Sequence, residues 1–151
     1  MGTDTKDIDS QLARFVGMCR RHGIKATHQR VEIYRELAST PEHPDAEAIY
    51  TRVRERIPAI SLDTVYRTLR LLRDERIISG IAVQPERMRF DANMAPHHHF
   101  VCTRCGLMRD FYSRDADRLQ VPPEIPQVGT IQSVHVEARG LCERCQAEAN
   151  R

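Results

Sequence analysis

The 151 residues are enough for one ordinary domain or two small ones, and 40 % hydrophobic with 29 % charged residues is typical of a soluble globular chain, which excludes disorder. No apolar run reaches the roughly 20 residues of a membrane span, and residues 1–10 lack the apolar segment of a secretory signal. We therefore expect a cytoplasmic protein without a membrane partner, and the net charge of +2 does not by itself indicate nucleic-acid binding.

The first half of the chain predicts four helices. Apolar residues from Ile8 to Cys19 recur at helical spacing, with Cys19 in the core and Gly23 as the stop. Three later helices open at Thr27, at the segment 43–45 and at Ser61. The third is expected to end before Pro58.

A local basic face accompanies these helices. Between residues 14 and 35 the only acid is Glu32, and the bases are Arg14, Arg20, Arg21, Lys25, Arg30 and Arg35. Such a face can bind phosphate even when the whole chain is nearly neutral. A solvated helix surface explains it equally well.

The third and fourth helices, joined by the short link 57–60, predict a helix-turn-helix with the fourth as recognition helix. Short strands at 78–83 and 88–90 form a hairpin where a winged helix has its wing. Arginine can reach guanine edges or phosphates, and tyrosine offers a hydroxyl and a flat ring. A plain helical bundle with exposed arginines is the alternative. The candidate DNA-binding residues are Arg30, Thr64, Tyr66, Arg67 and Arg70.

From Phe90 onward, histidines and cysteines cluster, and strand-like runs stand at 100–101, 107–108 and 134–138. Ser113 can cap a short helix over 114–119, which the proline-rich segment 121–127 follows. The predicted fold is α+β, with a winged helix-turn-helix domain at residues 1–88 and a small α/β domain at 89–151.

Four of the five cysteines form two Cys-x-x-Cys pairs, Cys102 with Cys105 and Cys142 with Cys145. Two such turns supply the four sulfurs that zinc prefers, and a site filled by four thiolates leaves no open position for substrate. We predict structural zinc. A disulfide pair or a redox Cys-x-x-Cys is the alternative.

A second set of metal ligands precedes and follows the first cysteine pair. Alternation on a strand puts His97 and His99 on one face and His98 on the other, with Asp91 and Asp110 nearby. Imidazoles with carboxylates suit Fe(II), Mn(II) or Zn(II), and the carboxylates favour the first two. A surface histidine run with incidental acids is the alternative, as is an oxygen-activating iron enzyme.

In this order, the helix-turn-helix, the histidine cluster and the paired cysteines resemble the ferric uptake regulator (Fur) family. The resemblance covers residues 23–145, through segments 23–34, 43–50, 62–69 (Leu-Asp-Thr-Val-Tyr-Arg-Thr-Leu), 89–91, 97–105 and 140–145. It implies a homodimeric repressor, not an enzyme, that binds a palindromic operator in double-stranded DNA. The second domain would be the dimerisation domain, and the four cysteines would hold structural Zn(II).

The resemblance further implies a regulatory Fe(II) or Mn(II) site at the junction of the two domains, formed by His43, Asp91, His97, His99 and Asp110. Within the family the chain is most similar to the peroxide-responsive repressors (PerR), because Asp110 stands where iron-responsive members typically carry Glu. Fe(II) would then react with hydrogen peroxide and oxidise His43 or His97, releasing the metal and opening the dimer. Iron or zinc availability is the alternative signal.

Two departures from the family pattern stand in the second half. Many members have a histidine of an additional metal site eight residues before the third cysteine, where this chain has Val134 and then His135. Relatives often carry a longer helix in place of the proline-rich segment 121–127. The resemblance assigns no role to His98.

Overall fold

The computed structural model describes residues 5–84, 87–125 and 128–150. These residues form two compact units, one up to Met94 and one from Ala95 onward. The first unit contains α1 (Thr5–Arg21), α2 (His28–Ala38), α3 (Ala46–Val53), α4 (Leu62–Asp74), β1 (Ser79–Gln84) and β2 (Arg87–Asp91).

Capping residues begin the helices of the first unit where the sequence predicts them. Thr27, Asp45 and Ser61 each accept a hydrogen bond from the backbone N–H three residues later, at 3.4, 2.8 and 3.1 Å. Gly23 follows α1 with φ of +67°, a conformation that costs glycine little.

The helices of the first unit bury their apolar faces in one core. The rings of Phe15 and Tyr34 stack with centroids 4.2 Å apart, and Cys19 is fully buried beside them, as predicted. Helix α4 buries Val65 and Leu69 and leaves its opposite face in solvent. Strands β1 and β2 follow α4 as an antiparallel pair, so the helix-turn-helix ends in the predicted hairpin.

The second unit is built on a three-stranded sheet in the order β4-β3-β5. Strand β3 pairs antiparallel with β4 and parallel with β5. Its elements are β3 (His98–Cys102), β4 (Met108–Phe111), α5 (Arg114–Asp117), β5 (Glu137–Gly140) and α6 (Glu143–Ala149). The mixture of helices and strands confirms the predicted α+β class.

Some predicted elements of the second unit differ from the structure. Strand β5 begins at Glu137 rather than at residue 134, because its pairing with β3 starts opposite His99. Helix α5 ends at Asp117, two residues short of the prediction, and α6 was not predicted. No helix among the described residues combines the length and apolar character needed to cross a membrane.

A buried carboxylate on α2 binds the turn that follows α3. Only 9 % of the Glu32 side chain is exposed, and its carboxylate accepts from Arg56 Nε at 2.5 Å and from Arg35 Nε at 3.3 Å. Burial alone would raise the pKa of Glu32, but the hydrogen bond and charge of Arg56, with help from Arg35, outweigh it and hold the pKa below its usual value.

Arg56→Met should lower the free energy of unfolding at pH 7 by about 1–3 kcal/mol, because the largely buried carboxylates of Glu32 and Glu36 each lose a partner. A carboxylate with a lowered folded-state pKa stabilises above its unfolded pKa of about 4.3, and this contribution disappears as pH falls through the folded value. The difference from wild type should therefore shrink between pH 7 and pH 3.5 in urea titrations.

Arg52→Met is the matched control for this experiment. The Arg52 and Arg56 side chains are both 41 % exposed, but Arg52 pairs at 3.5 Å with Glu42, whose side chain is 58 % exposed. Its loss should change stability little. Equal effects of the two substitutions would contradict the role given to Glu32.

Candidate metal centres and nucleic-acid interface

The four predicted zinc ligands converge in the second unit. One sulfur from each of Cys102, Cys105, Cys142 and Cys145 lies within 4.8 Å of the others, and none of the chain's five cysteines, all of them among the described residues, is in a disulfide. The Cys105 and Cys142 sulfurs are 3.7 Å apart. A tetrahedral zinc with sulfur at about 2.3 Å needs sulfurs about 3.8 Å apart. The donor set therefore fits zinc.

The surroundings of the cysteines shift their thiol pKa values in opposite directions. Backbone N–H groups of Cys105 and Cys142 lower the pKa of the Cys102 thiol to about 6. Burial, together with the other three cysteines, raises the pKa of Cys145 to about 12. Cys102 thus favours the thiolate that metals bind, whereas Cys145 must lose a proton when a metal enters.

Two predicted ligands of the second set meet inside the first unit. His43 and Asp91 are buried, with His43 Nε2 3.0 Å from Asp91 Oδ2. Phe90 N–H donates to the Pro44 carbonyl at 3.1 Å, which ties the segment carrying His43 to β2. His43 has φ of +53°, a left-handed conformation that is rare for a residue with a side chain. Such strain is frequent at functional sites.

Three further predicted ligands meet inside the second unit. His97 Nε2 and His99 Nε2 are 3.0 Å apart, and Asp110 Oδ1 lies 3.6 and 3.4 Å from them. His99 and Asp110 are direct cross-strand partners of β3 and β4. His97 Nδ1 lies 2.6 Å from the Ala95 carbonyl, which can only accept. Nδ1–H therefore donates to this carbonyl, and Nε2 is the nitrogen that faces the other two side chains, as in most metal-bound histidines.

The candidate DNA-binding residues lie on α2 and α4. Tyr66, Arg67 and Arg70 are exposed on α4, where the Arg67 guanidinium pairs with Asp63 at 2.9 Å. Thr64 is half-buried near the start of α4, with its hydroxyl 2.8 Å from Ser61 Oγ. Arg30 is half-buried on α2 and donates to the Lys25 carbonyl at 2.8 Å. These three side chains make the outer face of α4 accessible to solvent.

Sequence reasoning gave no role to His98, which the structure buries between two partners. Its Nε2 lies 2.9 Å from Asp117 Oδ1, and its Nδ1 accepts from Val136 N–H at 3.1 Å. The partners are 19 and 38 residues away, so no local pattern identifies them. The one available signal was the alternation that turns His98 away from its two neighbours.

Cys102→Ser should remove the bound zinc, from one ion per chain to none, and destabilise the second unit, because structural zinc contributes on the order of 10 kcal/mol in small domains. Metal analysis of the purified protein and thermal unfolding measure the two effects. Cys19→Ala, which changes a buried cysteine outside the cluster, should keep the zinc. A Cys102→Ser protein with full zinc content would contradict the assignment.

Comparison with known proteins identifies the family of this chain. A sequence profile of the Ferric uptake regulator family matches residues 21–138. The peroxide-responsive repressor PerR of Staphylococcus epidermidis is 30 % identical over 150 residues, which cover 99 % of this chain and 100 % of that protein.

Two solved structures have the same fold. The ferric uptake regulator Fur of Helicobacter pylori, described as having three functional metal binding sites, gives a TM-score of 0.72 at 24 % identity and covers 97 % of both chains. The Campylobacter jejuni peroxide stress regulator gives 0.65 at 28 % identity, covering 86 % of this chain and 98 % of that one. With the profile matched over most of its length and a full-length relative at 30 % identity, the chain belongs to the ferric uptake regulator family.

Proposed function

We propose that this protein is a metal-dependent, DNA-binding transcriptional repressor that senses hydrogen peroxide through oxidation of a metal-bound histidine. The observation that carries the proposal is the second-unit group, in which two imidazole nitrogens and the Asp110 carboxylate oxygen lie within 3.6 Å of one another. This set of two nitrogens and an oxygen suits Fe(II) or Mn(II). The full-length similarity to a peroxide-responsive repressor supports the same assignment.

DNA binding is proposed for residues 1–88 and dimerisation for residues 89–151. A dimer of winged helices would present two α4 helices to successive major-groove faces of a palindromic operator. Tyr66, Arg67 and Arg70 would contact bases or phosphates, while Thr64 and Arg30 would fix the orientation of the helices. Such a protein acts on DNA in the cytoplasm without catalytic turnover, so we do not expect an enzyme.

We propose that the first-unit pair His43 and Asp91 and the second-unit group His97, His99 and Asp110 bind one regulatory ion together. Zn(II) on the four cysteines would remain in place as a structural ion. The regulatory ion would then link the orientation of the DNA-binding domain to metal occupancy, because one ion cannot keep all five ligands unless both domains stay in the closed arrangement.

The sensing step consumes a ligand. Fe(II) held by these ligands would activate hydrogen peroxide for O–O cleavage. In the net reaction the imidazole gives up two electrons, one peroxide oxygen replaces a ring C–H hydrogen as a hydroxyl group, and the other oxygen leaves as water. An imidazole that carries this oxygen is a poorer ligand, and the ligand set no longer holds the ion. His97 is a candidate for this reaction because its Nε2 faces the group while its Nδ1–H donates to the Ala95 carbonyl.

Metal should control DNA binding. We expect Mn(II) to strengthen binding to a palindrome selected from random DNA by the Mn(II)-loaded protein, and His43→Ala to abolish this gain. Arg70→Ala should weaken binding and reduce the dependence of log K on log salt concentration by about one, if Arg70 contacts a phosphate. Fluorescence anisotropy measures both effects. Binding of equal strength without added metal would remove the regulatory part of the proposal.

Peroxide should mark the sensing histidine. After anaerobic loading with Fe(II) and addition of stoichiometric hydrogen peroxide, peptide mass spectrometry should find one added oxygen on His43 or His97. Mn(II)-loaded protein should stay unmodified, and Asp110→Glu should react less while keeping its zinc. If iron binds and no histidine is oxidised, the protein responds to iron or zinc availability instead, which is the alternative function.

A further inference from the structure

A histidine that belongs to neither candidate metal centre lies between two candidate ligands. His98 is the first residue of β3, and 2 % of it is exposed. Its ring packs against the ring of Phe111, with centroids 5.4 Å apart. Phe111 is the residue of β4 that pairs directly with His98. Strand alternation turns His98 away from the face that carries His97 and His99.

The hydrogen bonds of His98 determine which ring nitrogen carries the proton. Val136 N–H is a backbone donor, so His98 Nδ1 must accept and cannot itself be protonated in this arrangement. The proton is therefore on Nε2, which donates to Asp117 Oδ1 at 2.9 Å. Both ring nitrogens are occupied by protein groups, and a metal on either one would break a hydrogen bond.

These two bonds hold three elements together. Val136 directly precedes β5, and its carbonyl accepts from His99 N–H at 3.2 Å. Both backbone polar groups of Val136 are thus bound by consecutive residues of β3. Asp117 is the last residue of the four-residue helix α5. Residues 131–135, which lead into Val136, are exposed and belong to no strand.

We propose that His98 is a metal-independent positioning residue, which clamps α5 and the start of β5 to β3 and thereby fixes the direction in which His97 and His99 present their nitrogens. The effect on His97 and His99 as metal ligands rests on the proposed function. The two hydrogen bonds that clamp α5 and β5 to β3 do not depend on it. The family pattern noted from the sequence has a histidine of an additional metal site where this chain has Val134. In this chain the middle histidine of the His97–His99 run has protein partners at both ring nitrogens, so the clamp needs no ion.

The clamp can be tested in the zinc-loaded, full-length protein labelled with nitrogen-15 in histidine. Long-range proton–nitrogen spectra at pH 7.5 should give His98 a protonated Nε2 and an unprotonated Nδ1, with the signal assigned by its loss in His98→Gln. A proton on Nδ1, or averaging between the two tautomers, would overturn the clamp. So would loss of the Nε2 proton when a second equivalent of Zn(II) is added, because His98 would then be a metal ligand.

The positioning role can be tested with variants of the partner. Asp117→Asn keeps an oxygen that can accept from Nε2 and should retain Mn(II) affinity within about twofold, whereas Asp117→Ala should lose on the order of tenfold. Asp115→Ala removes an exposed carboxylate from the same helix and is the matched control for charge. Titration of free Mn(II) by electron paramagnetic resonance measures affinity, and zinc content shows whether the second unit remains folded.

The outcomes separate the two proposals. Reduced affinity in Asp117→Ala alone, with zinc retained, supports positioning by His98. Equal affinity in all three variants overturns it. If the wild-type protein binds no Mn(II) or Fe(II), the proposed function fails, and the tautomer spectrum alone then decides whether the clamp exists.

Discussion

The parallel pairing of β3 with β5 is the constraint on which the second unit depends. It sets Cys102 opposite Gly140, and Thr103 N–H donates to the Gly140 carbonyl at 2.8 Å. The nearest cysteines of the two Cys-x-x-Cys turns are 37 residues apart in sequence. The register of β3 with β5 is what brings these two turns close together. The same strand begins beside His97 and ends at Cys102, so both candidate metal centres of this unit share one rigid element.

In the first unit, a shorter backbone pairing fixes the position of the segment that carries His43. The backbone bond from Phe90 to Pro44 and the isolated bridge between Asp45 and Arg89 attach the segment before α3 to β2. Asp45 also caps α3, and so His43 is tied at once to a helix and to the hairpin. A displacement of His43 is therefore transmitted to α3 and to the hairpin, because packed elements move as units.

The two kinds of site differ in what they can do chemically. Four thiolates satisfy a tetrahedral ion completely, which suits a permanent structural role. Imidazoles and carboxylates bind a harder ion that can exchange, and one with accessible redox chemistry. Buried His43 and the hydrogen bond that fixes the tautomer of His97 both favour pre-arranged ligands over a surface histidine run. The chain thus has two chemically distinct candidate centres, one suited to a permanent ion and one suited to an exchangeable ion.

The sequence by itself determined the local features, because these depend on neighbours along the chain. Helical periodicity, the caps Thr27 and Ser61, the hairpin after α4 and the cysteine pairs all follow from spacing and side-chain type. The tertiary structure alone decided where β5 begins, which tautomer His97 takes, and that His98 is held by Asp117 and Val136. Each of these depends on a backbone or carboxylate partner that the alignment of the strands brings close. A sequence pattern does not predict how two parallel strands align with one another.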